Sequence, residues 1–111
     1  MKIESEYESE YESIERGSIV HVDDGYGEKG HYYVVLSIDW ENWTLEGLQI
    51  TSADWSYDEY TAIGPSDHSI IRSDSRIKNE VYEFDYADIG RNFGPLSQRA
   101  MRAVNEMQLR W

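Results

Sequence analysis

Residues 31–39 read His-Tyr-Tyr-Val-Val-Leu-Ser-Ile-Asp, the most hydrophobic stretch of the chain. Aromatic and β-branched side chains crowd it, and such side chains pack well on a pleated surface. The run therefore reads as a central strand, and the rest of the fold is built outward from it. Upstream, residues 24–30 (DGYGEKG) carry three glycines and read as a loop. Before the loop, residues 18–23 (SIVHVD) alternate in a strand period. Downstream, Glu41-Asn42 is a short turn, and residues 43–51 (WTLEGLQIT) form a third strand with Gly47 as a candidate bulge. Residues 52–67 are polar and aromatic around Gly64-Pro65, which suits a long loop or an edge hairpin. Residues 68–73 (HSIIRS) and 80–84 (EVYEF) read as two further strands.

The C-terminal stretch changes period. Residues 97–111 read SQRAMRAVNEMQLRW, with Ala100, Val104, Met107 and Trp111 at helical spacing and Met101 beside them. Ser97, shortly after Pro95, is a suitable N-cap. The predicted helix spans 97–111 and is locally basic, with Arg99, Arg102 and Arg110 against Glu106. Five or six strands followed by one helix imply a mainly β fold with a C-terminal helix. The expected architecture is a small SH3-like barrel or a strongly bent antiparallel sheet.

Charge sets the functional problem. The 111 residues carry 22 acidic side chains against 10 basic ones, a formal net charge of −12. Such a surface repels phosphate and attracts basic clefts. Proteins that grip nucleic acid draw much of their affinity from Lys and Arg on phosphate. Much of the acid sits in residues 2–15, KIESEYESEYESIE, where Glu4, Glu6, Glu8, Glu10 and Glu12 alternate with Ser, Tyr7 and Tyr11. Repulsion between neighbouring carboxylates opposes order in isolation. Residues 1–15 are therefore expected to form an arm that orders only against a basic partner, and residues 16–111 the globular domain. A tail without consequence is the plainer reading of the same segment.

Several classes are set aside by composition. No apolar run is long enough to span a bilayer, and the acidic start does not resemble a signal peptide, so a cytoplasmic protein is expected. The chain has no Cys, hence no disulfide framework and no thiolate chemistry. His21, His31 and His68 match no metal-ligand spacing, Gly25-Tyr26-Gly27 is not a phosphate-binding loop, and Asp54, Asp58 and Glu59 lack calcium-loop spacing. Neither a metal nor another cofactor is expected. Trp40, Trp43 and Trp55 are candidates for stacking bases. A small barrel also fills its core with Trp, and two of the three are expected there.

Three stretches in order resemble the MazF/PemK toxin family, whose members share an SH3-like barrel with the CcdB-type toxins. Residues 16–23 (RGSIVHVD) are similar to the family's opening Arg-Gly-Asp-Ile strand and its trailing Asp. Residues 27–37 (GEKGHYYVVLS) are similar to its Gly-rich loop followed by Arg-Pro-Val-Val-Val-Ile-Ser. Gly94-Pro95-Leu96-Ser97, with Met101 and Val104, resembles its final Gly-x-Leu-Ser helix. The resemblance implies a dimeric, metal-independent ribonuclease for single-stranded RNA, in which a 2′-hydroxyl attacks the adjacent phosphate. It places Thr51 where the family has its catalytic Thr or Ser. It places His31 where the family has its catalytic Arg, with Tyr32 at the Pro. An imidazole in that position serves as a general acid or base rather than as a permanent cation, or is simply a half-buried strand residue.

Two functional readings follow, besides that of an accessory module with neither activity. The preferred one from charge is an acidic binding protein that blocks a basic nucleic-acid-handling protein by phosphate mimicry, as anti-CRISPR or anti-restriction inhibitors do. Its contact residues are Glu4, Glu6, Tyr7, Glu8, Glu10, Tyr11 and Glu12. The alternative is the endoribonuclease toxin, with His31 and Thr51 as catalytic residues and Arg72, Arg76 and Lys78 as the local cations for RNA. In that case the acidic arm would cover the RNA groove in cis, as a family antitoxin does in trans.

Overall fold

The computed structural model describes residues 14–23, 30–52 and 59–109. Six strands form one antiparallel sheet: β1 (Ser18–Val22), β2 (His31–Asp39), β3 (Thr44–Ser52), β4 (Tyr60–Ile63), β5 (Ser75–Asp85) and β6 (Ile89–Pro95), in the order β4-β5-β3-β2-β1-β6. A 3-10 turn, Tyr86–Asp88, joins β5 to β6, and the helix α1 (Gln98–Leu109) closes the chain. The expected class, a bent antiparallel sheet with a C-terminal helix, is the observed one.

The sheet is apolar on both sides. Ile19, Val34, Leu48 and Ile77 face α1 and pack with its Ala100, Val104 and Met107. Val20, Tyr33, Val35, Leu45 and Ile89 form a second cluster on the other face, with Ile14 buried among them. Each fully buried Ile, Leu or Val contributes roughly 1.5–3 kcal/mol, so the neighbouring strands β1 and β2 anchor both clusters. Tyr86 N–H donates to Trp43 O (2.8 Å) and Asp23 N–H donates to Asp88 O (3.0 Å), which rolls the β5–β6 connection back toward β1. The expected arm, 1–15, overlaps the fold at its end: Ile14 is 3% exposed, and Glu15 N–H donates to Ser18 Oγ at 3.0 Å. Residues 1–13, with all seven arm contact residues named above, lie outside the described residues.

Four expectations need correction. Residues 68–73 are not a strand. They turn, with Ile71 N–H donating to His68 O at 3.1 Å, and Ile71 alone is fully buried there. A strand that sequence reading left out, β6, pairs antiparallel with β1 despite its two glycines. The bulge falls not on Gly47 but opposite it, where the register passes from Val35↔Gly47 to Ser37↔Glu46 and Leu36 becomes the extra residue. The Leu36 carbonyl is met by Arg16 Nη1 at 3.0 Å. Finally, Trp40 and Trp43 are 50% and 56% exposed, so they do not fill the core. Trp43 meets Trp40 and Tyr86 edge-on, at centroid distances of 5.6 and 5.3 Å, and Trp40 meets Tyr86 at a tilt, at 5.8 Å.

The start of α1 is held by one buried carboxylate. Ser97 caps the helix through Ala100 N–H (3.1 Å), as its position before the helix leads one to expect. Asp67, 5% exposed, accepts from Ser97 Oγ (2.7 Å), Arg99 Nη2 (2.6 Å) and Gly64 N–H (2.9 Å). Burial pushes its pKa up. Arg99, Ser97 and the Gly64 N–H outweigh burial and hold the carboxyl below its ordinary value.

Candidate nucleic-acid interface

The second-cluster face of the sheet carries a polar strip beyond its apolar part. Tyr33 pairs with Gln49 and Tyr32 with Ile50, and one further step along the same register sets His31 across from Thr51. Thr51 in turn pairs with Arg76 on β5. Side chains of directly paired residues share a face, as do residues two apart on a strand. His31, Tyr33, Gln49, Thr51 and Arg76 therefore line one surface. The β4–β5 register, Tyr60↔Lys78 and Ala62↔Arg76, adds Tyr60 and Lys78 to it.

Both cations lie against aromatic and polar neighbours. The Arg76 guanidinium lies over the Tyr60 ring, 4.3 Å from its centroid. Lys78 Nζ donates to Tyr82 Oη (3.0 Å) and Gln49 Oε1 (3.4 Å). It also pairs at 3.5 Å with Glu80, whose side chain is 62% exposed. The Lys78 side chain is 13% exposed, so the open end of the pair is the Glu80 carboxylate, and an incoming phosphate can replace it. Tyr33 packs edge-on against Tyr82 at 5.7 Å, and His31 against Tyr33 at 6.4 Å. His31 is exposed, while Thr51, Arg76 and Lys78 are half-buried.

The structure thus brings together two of the sequence-nominated cations, Arg76 and Lys78, with His31 and Thr51. It leaves Arg72 apart, exposed in the β4–β5 connection. Sequence reading missed Gln49, Tyr60 and Tyr82. Alternation groups residues within one strand only, and what joins Gln49, Tyr60 and Tyr82 is the pairing of β3 and β4 with β5, including the two extra β5 residues between Ile50↔Ile77 and Leu48↔Val81. Among the described residues no group of three or more His, Cys, Asp or Glu is placed to hold a metal ion. Also among them, no helix is long and apolar enough to cross a membrane.

The arrangement can bind a phosphodiester. A hydroxyl and a guanidinium face one another across adjacent strands, an ammonium stands two residues further along β5, and an imidazole stands on the far side of the hydroxyl. No protein-family profile matches the sequence, and no curated protein matches it. The fold has solved counterparts. One is an endoribonuclease from a mycobacterial species, solved in complex with its cognate antitoxin. It superposes with a TM-score of 0.69 at 18% identity, over 88% of this chain and 93% of that one. A second mycobacterial endoribonuclease gives a TM-score of 0.67 at 15% identity, over 88% of this chain and 89% of that one.

Proposed function

We infer that this protein is a metal-independent endoribonuclease of the MazF/PemK type that cleaves single-stranded RNA on the His31–Thr51–Arg76 strip. The observation that carries the reading is the Thr51↔Arg76 pair. The family Arg is absent from the start of β2, and a guanidinium from β5 stands beside the catalytic-position Thr instead. In this assignment Thr51 Oγ1 donates to a non-bridging phosphate oxygen, and Arg76 neutralises the charge that grows on the phosphorane. His31 takes the 2′-hydroxyl proton as the 2′ oxygen attacks phosphorus. The P–O5′ bond breaks, the leaving 5′ oxygen takes a proton from water, and a 2′,3′-cyclic phosphate remains on the upstream fragment. Lys78 holds the neighbouring phosphate.

The acidic arm then acts in cis. Ile14 is buried in the same cluster as Tyr33 and Val35, so the chain enters the domain on the face that bears the strip. Residues 1–13 lie directly upstream. Glu4, Glu6, Glu8, Glu10 and Glu12 are the natural occupants of Arg76 and Lys78 in the absence of RNA, with Tyr7 and Tyr11 as companions for Tyr60 and Tyr82. The inhibitor reading drawn from charge is the weaker one, because a phosphate mimic has no use for a strip of Arg76, Lys78, Tyr60 and Tyr82 on its own sheet. A dimer, a cytoplasmic location and an antitoxin-like partner belong to the same proposal.

The test is incubation of the purified chain with mixed-sequence single-stranded RNA at low salt without divalent metal. Cleavage with 2′,3′-cyclic phosphate ends, lost in Thr51→Ala and Arg76→Ala, is the expected result. Uncleaved RNA under these conditions, also after removal of residues 1–13, would return the acidic surface to first place.

A further inference from the structure

The opposite face of the sheet carries a second grouping, in which the ladder sets Arg91 opposite His21 and His21 opposite Tyr32. The rings touch in series: His21 to Tyr32 at 5.0 Å, and Tyr32 to Phe93 at 5.7 Å. The Arg91 guanidinium lies over Phe93, 4.9 Å from the ring centroid. Beside this row opens a cleft of about 460 Å³, lined by residues 68–70 and 91–94. In a chain of net charge −12, that lining holds, among the described residues, no carboxylate and one exposed guanidinium.

The cleft wall is preorganised. His68 Nδ1 accepts from Ile70 N–H at 3.1 Å, which leaves Nε2 to donate to Phe93 O at 2.9 Å. Those two bonds tie the 68–70 turn to β6. Asn92, buried beneath, accepts from Gly94 N–H at 2.9 Å. Gly94 has φ +87°, and a Cβ there would meet nothing within 4 Å, so the cleft is open on that side. Among the described residues Arg91 forms no ion pair.

We propose that this cleft is a nucleotide-binding subsite for single-stranded nucleic acid, separate from the His31–Thr51–Arg76 strip. The base stacks on the outer face of the Arg91 guanidinium, which Phe93 backs, with Tyr32 at its edge. The adjoining phosphate takes the remaining Arg91 N–H groups. A planar cation over an aromatic ring supports any base and holds one phosphate at once. Ser69, exposed at the rim, offers a hydroxyl to the sugar. The site deepens the ribonuclease reading, since it gives a strand reaching the protein a second grip, but its test does not need cleavage.

The probe is a fluorescein-labelled 2′-O-methyl hexanucleotide, which has no attacking hydroxyl, titrated into the full chain at low salt. Arg91→Ala is expected to weaken binding by about tenfold, Arg91→Lys by less, and Tyr32→Ser by several-fold, in line with the loss of one stacked base. Phe93→Leu, which keeps the packing against the core, is expected to weaken it as well. Equal affinity of the wild type, Arg91→Ala and Phe93→Leu, all folded by circular dichroism, would overturn the subsite. Cleavage of ordinary RNA that depends on Thr51, together with unchanged hexamer affinity in Arg91→Ala, would remove the subsite and keep the ribonuclease reading. Arg91-dependent hexamer binding without any cleavage would do the reverse.

Discussion

Thr51 and Arg76 stand directly opposite one another in the β3–β5 ladder, although 25 positions separate them in the sequence. The pair sets a hydroxyl and a permanent cation side by side on the face that also bears His31. A guanidinium stabilises transition-state charge wherever its N–H groups reach the phosphorane, so its strand of origin does not matter. Arg76→Ala is therefore expected to lower the single-turnover RNA cleavage rate by about 100- to 1000-fold, the usual scale for one lost charge-stabilising donor. Arg76→Lys should recover only part of it, because an ammonium lacks the planar fork. A cleavage rate unchanged in Arg76→Ala would take Arg76 out of the chemistry.

Asp67 is the polar group on which the helix start depends. Asp67→Ala removes the acceptor for Ser97 Oγ, Arg99 and Gly64 N–H, and loosens the cap on Ala100. Loss of a cap costs about 1 kcal/mol and a stranded buried donor about 1–3. The expected loss is roughly 2–4 kcal/mol by urea unfolding at pH 7. The pH dependence follows from the lowered pKa. The unfolded chain holds the Asp67 proton more tightly than the folded one, so the stabilisation is present above the ordinary value of 3.8 and is lost as pH falls through the folded pKa. The gap between wild type and Asp67→Asn should narrow on acidification below about pH 4. A gap that widened there would contradict the assignment.

The same residues explain what could be read in the sequence. The bounds of β2 were legible because its apolar run is continuous and ends at Asp39, whose carboxylate accepts from Glu41 N–H and Asn42 N–H to set the turn. The helix was legible because Ser97 precedes a clean apolar stripe. Residues 68–73 misled because two adjacent Ile resemble a strand. Their backbone is committed to turns instead, by the Asp67 and His68 side chains and by contacts with β6 and α1, which lie far along the chain. β6 was hidden because Gly90, Asn92, Gly94 and Pro95 have low strand propensity, and pairing with β1 overrides it. In the site, the sequence suggests His31 with Thr51 as one pair and Arg72, Arg76 and Lys78 as one group of cations, without their mutual placement. Their common face depends on which strands pair and in what register, which no local pattern reports.

Gly47 illustrates a glycine kept for close approach rather than for a bulge. A Cβ there would lie 2.9 Å from Val34 O and 3.2 Å from Phe84 Cε1. The backbone atom belongs to the paired strand and cannot rotate away. Gly47→Ala is expected to destabilise the domain by about 1–3 kcal/mol, read as a lower urea midpoint with an unchanged m-value. A neutral result would mean that β2 and β3 separate more easily than their ladder implies.

Trp40 and Trp43 are exposed, and Asp39, Glu41, Asp85 and Asp88 lie on the same turn and connection. Asp39 stays ionised to lower pH than usual, because Asn42, through its side chain and backbone, and Glu41 N–H donate to it. A local negative potential gathers cations and repels anions. In a Trp55→Phe/Trp111→Phe background, the ratio of caesium to iodide quenching constants should exceed that of free N-acetyltryptophanamide at equal ionic strength. A ratio at or below the free value would place those carboxylates away from the indoles.

The arm prediction rests on where Ile14 sits. Thirteen residues upstream of it, extended at about 3.3–3.6 Å each, reach roughly 43–47 Å. The distance from β2 across β3 to β5 is only about 10 Å, two strand spacings. Five Glu in that segment can therefore meet Arg76 and Lys78 without strain in the linker. Removing residues 1–13, with the cut placed before Ile14 to spare the core, should tighten single-stranded RNA binding and raise cleavage by about tenfold at low salt, the equivalent of 1.4 kcal/mol. Replacing Glu4, Glu6, Glu8, Glu10 and Glu12 by Gln should act in the same direction. Both gains should shrink as salt rises and the screening length falls from about 10 Å at 0.1 M to 3 Å at 1 M. Truncation that leaves RNA affinity unchanged at every salt concentration would mean that the arm does not occupy the strip. Its carboxylates would then be free for a separate basic partner.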